Sequence, residues 1–328
     1  MLTKRQLKQT KESYFMINYI IRKLINLIPT LLGCMIIFFL LFNVIGGQDK
    51  VLYNMLSPKS RTPQQIATLR HQLGLDKPLF LQYLDYVKQA ATMDFGKSLA
   101  KKQRIADLIK RCVPVSLSVT FPPFIFEFLI STALALLCAF YRGKFLDKLI
   151  TILATIFMAF PYLALIIIAQ SFLAAKWKLF PISGWGFGIE RIRYLVLPWI
   201  LITFANVGGD VRYYRTVFVE EVNKDYVRTA KAKGLSTRKI MYTHVFKNAL
   251  IPILTAVIMS IPGLLLGALL TERFFSIPGI GDLTVTAVSS YDLPVLKAMV
   301  VVYTLFFIFF SLITDISYSI VDPRVKLS

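Results

Sequence analysis

The chain has 328 residues, 56% of them hydrophobic and 17% charged, with a mean hydropathy of +0.62. That apolar share exceeds the roughly 45–50% of a soluble domain and marks a membrane protein. The +20 formal charge sits between apolar runs, which reads as a membrane-orientation signal and argues against nucleic acid as a partner.

Residues 1–23 carry six Lys and Arg and lead into an apolar run over 24–45. About 20 apolar residues cross a bilayer, whereas the apolar core of a cleaved signal has about 7–15. The following Gly46-Gly47-Gln48-Asp49 is a poor cleavage site, so the run is expected to remain as a first transmembrane helix. Residues 46–112 form a long polar insert broken by Pro58, Pro63, Gly74, Pro78 and Gly96. Within it, 64–72 follows a Thr62-Pro63 helix start, and 79–91 carries Leu81, Leu84, Tyr86 and Val87, expected to form one face of a second helix. The insert is expected to be a small helical domain.

A second span is expected over 113–141, punctuated by Pro114, Pro122 and Pro123 and carrying Glu127. A carboxylate at membrane depth is costly, so Glu127 either serves function or packs against a neighbouring helix. After a basic turn over 142–148, a third span covers 149–175 with Pro161 as a kink. Trp177, Trp185 and Phe187 give 176–193 the composition of an interfacial loop. The fourth span, 194–211, ends in Asn206, Gly208, Gly209 and Asp210. A fifth, 249–270, contains Pro252, Pro262, Gly263 and Gly267, which allow a bend or close helix approach. A polar stretch over 271–297 precedes the sixth span, 298–320, which Asp322-Pro323-Arg324 stops. Cys34, Cys112 and Cys138 match no metal-ligand spacing, and His71 and His244 fall in different loops, which argues against redox, zinc or histidine-based chemistry.

With the N-terminus inside, the inner segments hold 20 Lys and Arg and the short outer loops six. The insert holds 12, but a segment that long is largely exempt from the positive-inside rule. Six spans with both termini cytoplasmic is the coherent topology. It places the basic segment 212–248 inside.

That segment reads as two short helices broken at Gly234. It is too short a tether, and has too little core of its own, for a DNA-binding helix-turn-helix. Val227-Arg228-Thr229-Ala230 through Gly234 to Ala249-Leu250-Ile251-Pro252 resembles the coupling loop of ABC-importer permeases, whose general form is Glu-Ala-Ala, three residues, Gly. Arg228 and Thr229 depart from that form, while Ala230 and Gly234 match it. The run at 225–236, Asp-Tyr-Val-Arg-Thr-Ala-Lys-Ala-Lys-Gly-Leu-Ser, is similar to the peptide and nickel branch of the family. Leu73-Gly-Leu-Asp-Lys-Pro78 with Gln82-Tyr83, Asp94-Phe-Gly-Lys-Ser98, Glu272, Phe275-Ser-Ile-Pro-Gly-Ile-Gly281 and Asp322-Pro-Arg324 extend the likeness to that branch's B-type permease. Gly46-Gly47-Gln48-Asp49 replaces the branch's usual Pro-Gly-Asp-Pro, and Met93 stands where a glycine is common.

The resemblance implies an all-α integral membrane protein with six transmembrane helices, of type I ABC importer permease architecture with a small extracytoplasmic helical insert. The parts would be a cytoplasmic segment 1–23, a first helix 24–45, the insert 46–112, a five-helix core 113–320 containing the coupling loop 212–248, and a cytoplasmic tail 321–328. It also implies a bacterial inner-membrane location and a peptide cargo, with nickel or a peptide-like antibiotic as alternatives in the same branch. The implied partners are a second homologous permease, two ATPase subunits that bind ATP and Mg, and an extracytoplasmic substrate-binding protein. The chain has no Gly-x-x-x-x-Gly-Lys-Ser/Thr phosphate loop and is expected to be a transport subunit rather than an enzyme.

The residues expected to couple to the ATPase are Tyr226, Arg228, Thr229, Ala230, Lys231, Lys233, Gly234 and Leu235. Ala230 would permit close approach, Gly234 would permit a turn that a Cβ obstructs, and the cations would supply polar contacts or face anionic headgroups. Glu127, Asp210 and Asp315 are candidates for the translocation path or a helix interface. In a different class of protein, an ion-coupled secondary transporter, the same three acids would be proton sites.

Overall fold

The computed structural model describes residues 28–42, 62–264 and 268–321, with positions 22, 25, 26, 52 and 53. Residues 1–21, Gly46-Gly47-Gln48-Asp49, Gly267, residues 322–328 and the side chain of Asp315 lie outside the described residues. In chain order the helices are α1 (Ile28–Leu40), α2 (Pro63–Gln72), α3 (Leu79–Thr92), α4 (Ile105–Phe140), α5 (Phe145–Ala159) and α6 (Tyr162–Lys176). There follow α7 (Arg191–Val222), α8 (Asp225–Ala232), α9 (Thr237–Leu264), α10 (Leu269–Phe275), α11 (Ile280–Ser289) and α12 (Leu293–Val321).

Four of the described helices, α4, α7, α9 and the Leu293–Thr314 part of α12, are long and apolar enough to cross a membrane. α5 and α6 make a fifth span if counted together, but they meet at a 91° bend, so Pro161 breaks the span rather than kinking it. Proline cannot donate the backbone bond that would carry the helix across that point. The long helices overrun the apolar windows: α4 begins at Ile105 and α7 continues to Val222, so the turn before α8 is far shorter than a loop starting at 212. A hydropathy window sees only the stretch that lipid must solvate; polar turns beyond it can remain helical.

The chain divides into two compact units. In the first, 1–114 with 279–313 and 325–328, Thr62 caps α2 by accepting from the Gln65 N–H at 3.3 Å, with Pro63 in the first turn. Tyr86 of α3 is buried against Met35, Ile105 and Leu296, and its hydroxyl donates to the Lys297 carbonyl at 2.9 Å. Ser98 donates to Asp292 at 2.5 Å, fastening the Asp94-Phe-Gly-Lys-Ser98 turn to the start of α12. α3 ends on Met93, exposed and left-handed at φ 53°. A side chain there costs about 1–2 kcal/mol, so Met93→Gly is expected to raise stability by about 1 kcal/mol, read as a higher unfolding temperature.

The second unit, 115–278 with 314–324, holds the remaining spans. α5 lies tightly on α7: a Cβ on Gly208 would sit 2.4 Å from the Ala154 carbonyl, and the Phe157 and Phe204 rings are 4.1 Å apart. Small residues permit such close approach between membrane helices.

Candidate functional site

α8 is short and amphipathic. Lys224 precedes it in extended conformation, and Asp225 places a carboxylate in the first turn, where it complements the helix dipole. Val227 and Ala230, three residues apart and so on one face, are buried with Ala135 and Ala139 of α4, Tyr214 and Phe218 of α7, and Ile240, Met241, Val245 and Ala249 of α9. Leu235 packs on the same cluster. The end of α8 is a Schellman motif: the Gly234 N–H donates to the Lys231 carbonyl at 2.9 Å and the Leu235 N–H to the Ala230 carbonyl at 3.2 Å. Gly234 is left-handed at φ +79°. No heavy atom lies within 4 Å of where its Cβ would go, so the expected obstruction of a Cβ is absent; the constraint is on the backbone alone. Ser236 then starts α9, its hydroxyl accepting from the Lys239 N–H at 3.4 Å.

Arg228, Thr229, Lys231, Lys233 and Gly234 all point outward. Arg228 lies 3.6 Å from Asp225 with both side chains exposed, a pairing worth about 0–1 kcal/mol. The Thr229 hydroxyl donates to the Asp225 carbonyl at 3.1 Å. Among the described residues Lys231, Lys233, Arg238 and Lys239 make no ion pair, so the outer face of the segment is basic. A groove of opposite charge is its natural complement.

Glu221, in the last turn of α7, was not among the residues expected from sequence. It is 7% exposed, and its carboxylate accepts from the Tyr226 hydroxyl at 2.6 Å and pairs with Lys224. It therefore joins α8 to the spanning helix before it. Burial, with the Glu221 hydrogen bond, pushes the Tyr226 phenol up to about 12, while Asn248 acts in the opposite direction. A raised phenol pKa adds stability below its ordinary value of 10.0 that is lost only as pH climbs through about 12, so the joint stays intact at physiological pH.

Deeper in the same unit, the Asn206 side chain donates to Glu127 at 3.2 Å and the Tyr214 hydroxyl to Asp210 at 3.3 Å. Glu127 and Asp210 line one small cavity of about 60 Å³. Glu127 and Asn206 also line a larger one of about 550 Å³ with Thr120, Met158, Phe160 and Tyr162. The fold thus brings two of the three candidate acids together. Among the described residues no cluster of His, Cys, Asp or Glu could hold a metal ion.

The family model described as the binding-protein-dependent transport system inner membrane component matches residues 131–327, and its N-terminal companion matches 16–120. The chain belongs to this family of importer permeases. The permease is 33% identical over 313 residues to the dipeptide transport system permease protein DppB of Lactococcus lactis, covering 95% of this chain and 100% of that one. It is 30% identical over 313 residues to the glutathione transport system permease protein GsiC of Salmonella typhimurium, covering 95% and 99%. Among solved structures, the inward-facing MetNI methionine ABC transporter shares the fold, with a TM-score of 0.54 at 16% identity over 66% of this chain and 96% of that one. The resemblance read from 225–236 is borne out, as are the all-helical class and the type I importer permease fold. A permease of this family is a membrane-embedded transport component that works with ATPase and substrate-binding partners.

Proposed function

We propose that this permease moves peptides into the cytoplasm as one half of a transmembrane pathway, the other half being a second, homologous permease. The observation that carries the cargo class is its likeness to a dipeptide permease over that protein's full length. Two cytoplasmic ATPase subunits bind ATP and Mg and supply the energy. The charge count of the loops favours both termini and α8 on the cytoplasmic side. In that orientation the basic outer face of α8, with Arg228, Lys231 and Lys233, sits in a groove of an ATPase subunit. Ala230 and Val227 hold it to α4, α7 and α9 from behind. Glu221 and Tyr226 make α8 and α7 move together, so that a displacement of the ATPase becomes rocking of one permease half against the other.

An extracytoplasmic binding protein delivers the peptide to the insert 46–112 and to the 271–297 region. Glu127 and Asp210 then border the path it follows. The test is ATP hydrolysis by the transporter assembled with its partner subunits and binding protein, challenged in turn with dipeptides, glutathione and nickel. Stimulation by short peptides supports the reading; stimulation by nickel alone moves the cargo to the metal branch, and no stimulation by any ligand opposes it.

A further inference from the structure

The proposed coupling route ends on α4, α7 and α9. A fastening between α7 and α5 extends it. Asp147, in the first turn of α5 and 2% exposed, accepts both the Nε and an Nη of Arg215 on α7, at 2.6 and 2.8 Å. It also accepts the Gly143 N–H at 2.9 Å. Next to it, Arg142 donates to the side chain of Asn223, the residue that closes α7 just before α8, at 2.9 Å. A bidentate arginine–carboxylate fork fixes direction as well as distance. Further along the same two helices come the Gly208–Ala154 approach and the Phe157–Phe204 ring contact. α5 is therefore held to α7 at three levels, one polar, one steric and one aromatic.

The other side of the 91° bend also packs on α7, but around Pro198, where Ile166 and Ala169 meet Leu195, Leu197 and Leu201, and it is fastened beyond α7 as well. The Tyr162 hydroxyl bonds Thr271 at 2.6 Å, and Gln170 donates to the Ile182 and Phe274 carbonyls, both at 3.0 Å. Pro161 carries no N–H to bond across the break. α7 has a soft point of its own at Pro198 inside the helix. The bend itself forms cavity wall: Met158, Phe160 and Tyr162, on its two sides, line the 550 Å³ cavity with Glu127.

We infer that Asp147 is a positioning residue that makes α5 ride with α7, so that movement of α8 flexes the Phe160–Pro161 bend and reshapes the wall of the cavity that Glu127 lines. The inference rests on the coupling role proposed for α8. α5 is then a lever, and the cavity wall responds to the ATPase without any direct link between the two.

Spin labels in the assembled transporter test it, with Cys34 and Cys112 replaced by alanine and Cys138, whose thiol hydrogen-bonds Asp147, by serine. Labels at the exposed positions Ile152 and Tyr213 report α5 against α7; labels at Ile152 and Ile168 report α5 against α6 across the bend. Between the nucleotide-free and vanadate-trapped states, the first distance is expected to stay fixed and the second to change. In parallel, Asp147→Asn is expected to keep basal ATP hydrolysis but lower peptide uptake about tenfold, within the range by which residues between two sites alter their coupling. Exchanging the charges, Asp147→Arg with Arg215→Asp, is expected to restore part of that loss, which a purely steric role would not do. A changing Ile152–Tyr213 distance, or undiminished uptake in Asp147→Asn, overturns the lever. Should Asp147→Asn fail to assemble, the label distances decide alone, since they are read with Asp147 in place. ATP-driven uptake by the unsubstituted transporter with both distances fixed overturns the lever but leaves the importer; absence of that uptake overturns the importer reading.

Discussion

A Gly234→Val chain is expected to insert into the membrane and yet lose ligand-stimulated ATP hydrolysis and uptake by about tenfold or more. The left-handed backbone at φ +79° is what allows α8 to close its last turn and hand the chain to Ser236. A β-branched residue held there costs about 1–3 kcal/mol, and each 1.4 kcal/mol is about tenfold in an equilibrium. Because no atom lies within 4 Å of the added Cβ, the penalty follows backbone tolerance rather than side-chain size. Gly234→Asn is therefore expected to stay close to the parent, since asparagine enters this region most readily after glycine, with Gly234→Ala between the two. Uptake measured across this series checks the order. An asparagine chain as impaired as the valine one would mean that the bare glycine surface contacts a partner instead.

Glu221→Ala is expected to produce the second large effect. The substitution leaves the Tyr226 hydroxyl and Lys224 without the acceptor they share and opens a space beneath the start of α8. Lys224 is half exposed and regains water, so the loss is mainly that of the hydrogen bonds to the carboxylate and of packing, about 2–3 kcal/mol, whereas Tyr226→Phe removes one such bond at about 1.5 kcal/mol. The ratio of transport to ATP hydrolysed is expected to fall steeply in Glu221→Ala and mildly in Tyr226→Phe, with the affinity for ATP unchanged in both. A lowered ATP affinity with an intact ratio would assign Glu221 to another task.

The family and the position of its connector were legible because the 225–236 run keeps residue order as well as composition, and because Gly234 punctuates it. Helix type was legible from apolar length. Helix ends were not: the first turns of α4 and the last turns of α7 are polar enough to read as loop while their backbone bonds continue unbroken. Arg215 counts in a sequence as one more orienting cation, yet it lies within α7 and is engaged by Asp147. Glu221 was hidden for the same reason, an acid at the edge of an apolar run in a basic neighbourhood. A carboxylate just where a span meets a cationic loop is the signal that would have pointed to Asp147 and to the Glu220-Glu221 pair. Glu127 and Asp210 were each suspected for membrane depth, but only the packing of α4 against α7 and α9 shows that they border one cavity.

Uptake of a labelled dipeptide into proteoliposomes separates ATP-driven import from ion-coupled transport. The chain is reconstituted with its partner permease, ATPase subunits and binding protein. Accumulation is expected only when ATP and Mg are present on the side bearing α8, to cease when the ATPase subunits are omitted, and to be indifferent to a proton gradient. Accumulation by this chain alone, driven by a proton gradient without ATP, would rule out ATP-driven import and make Glu127, Asp210 and Asp315 the candidate sites of ion coupling.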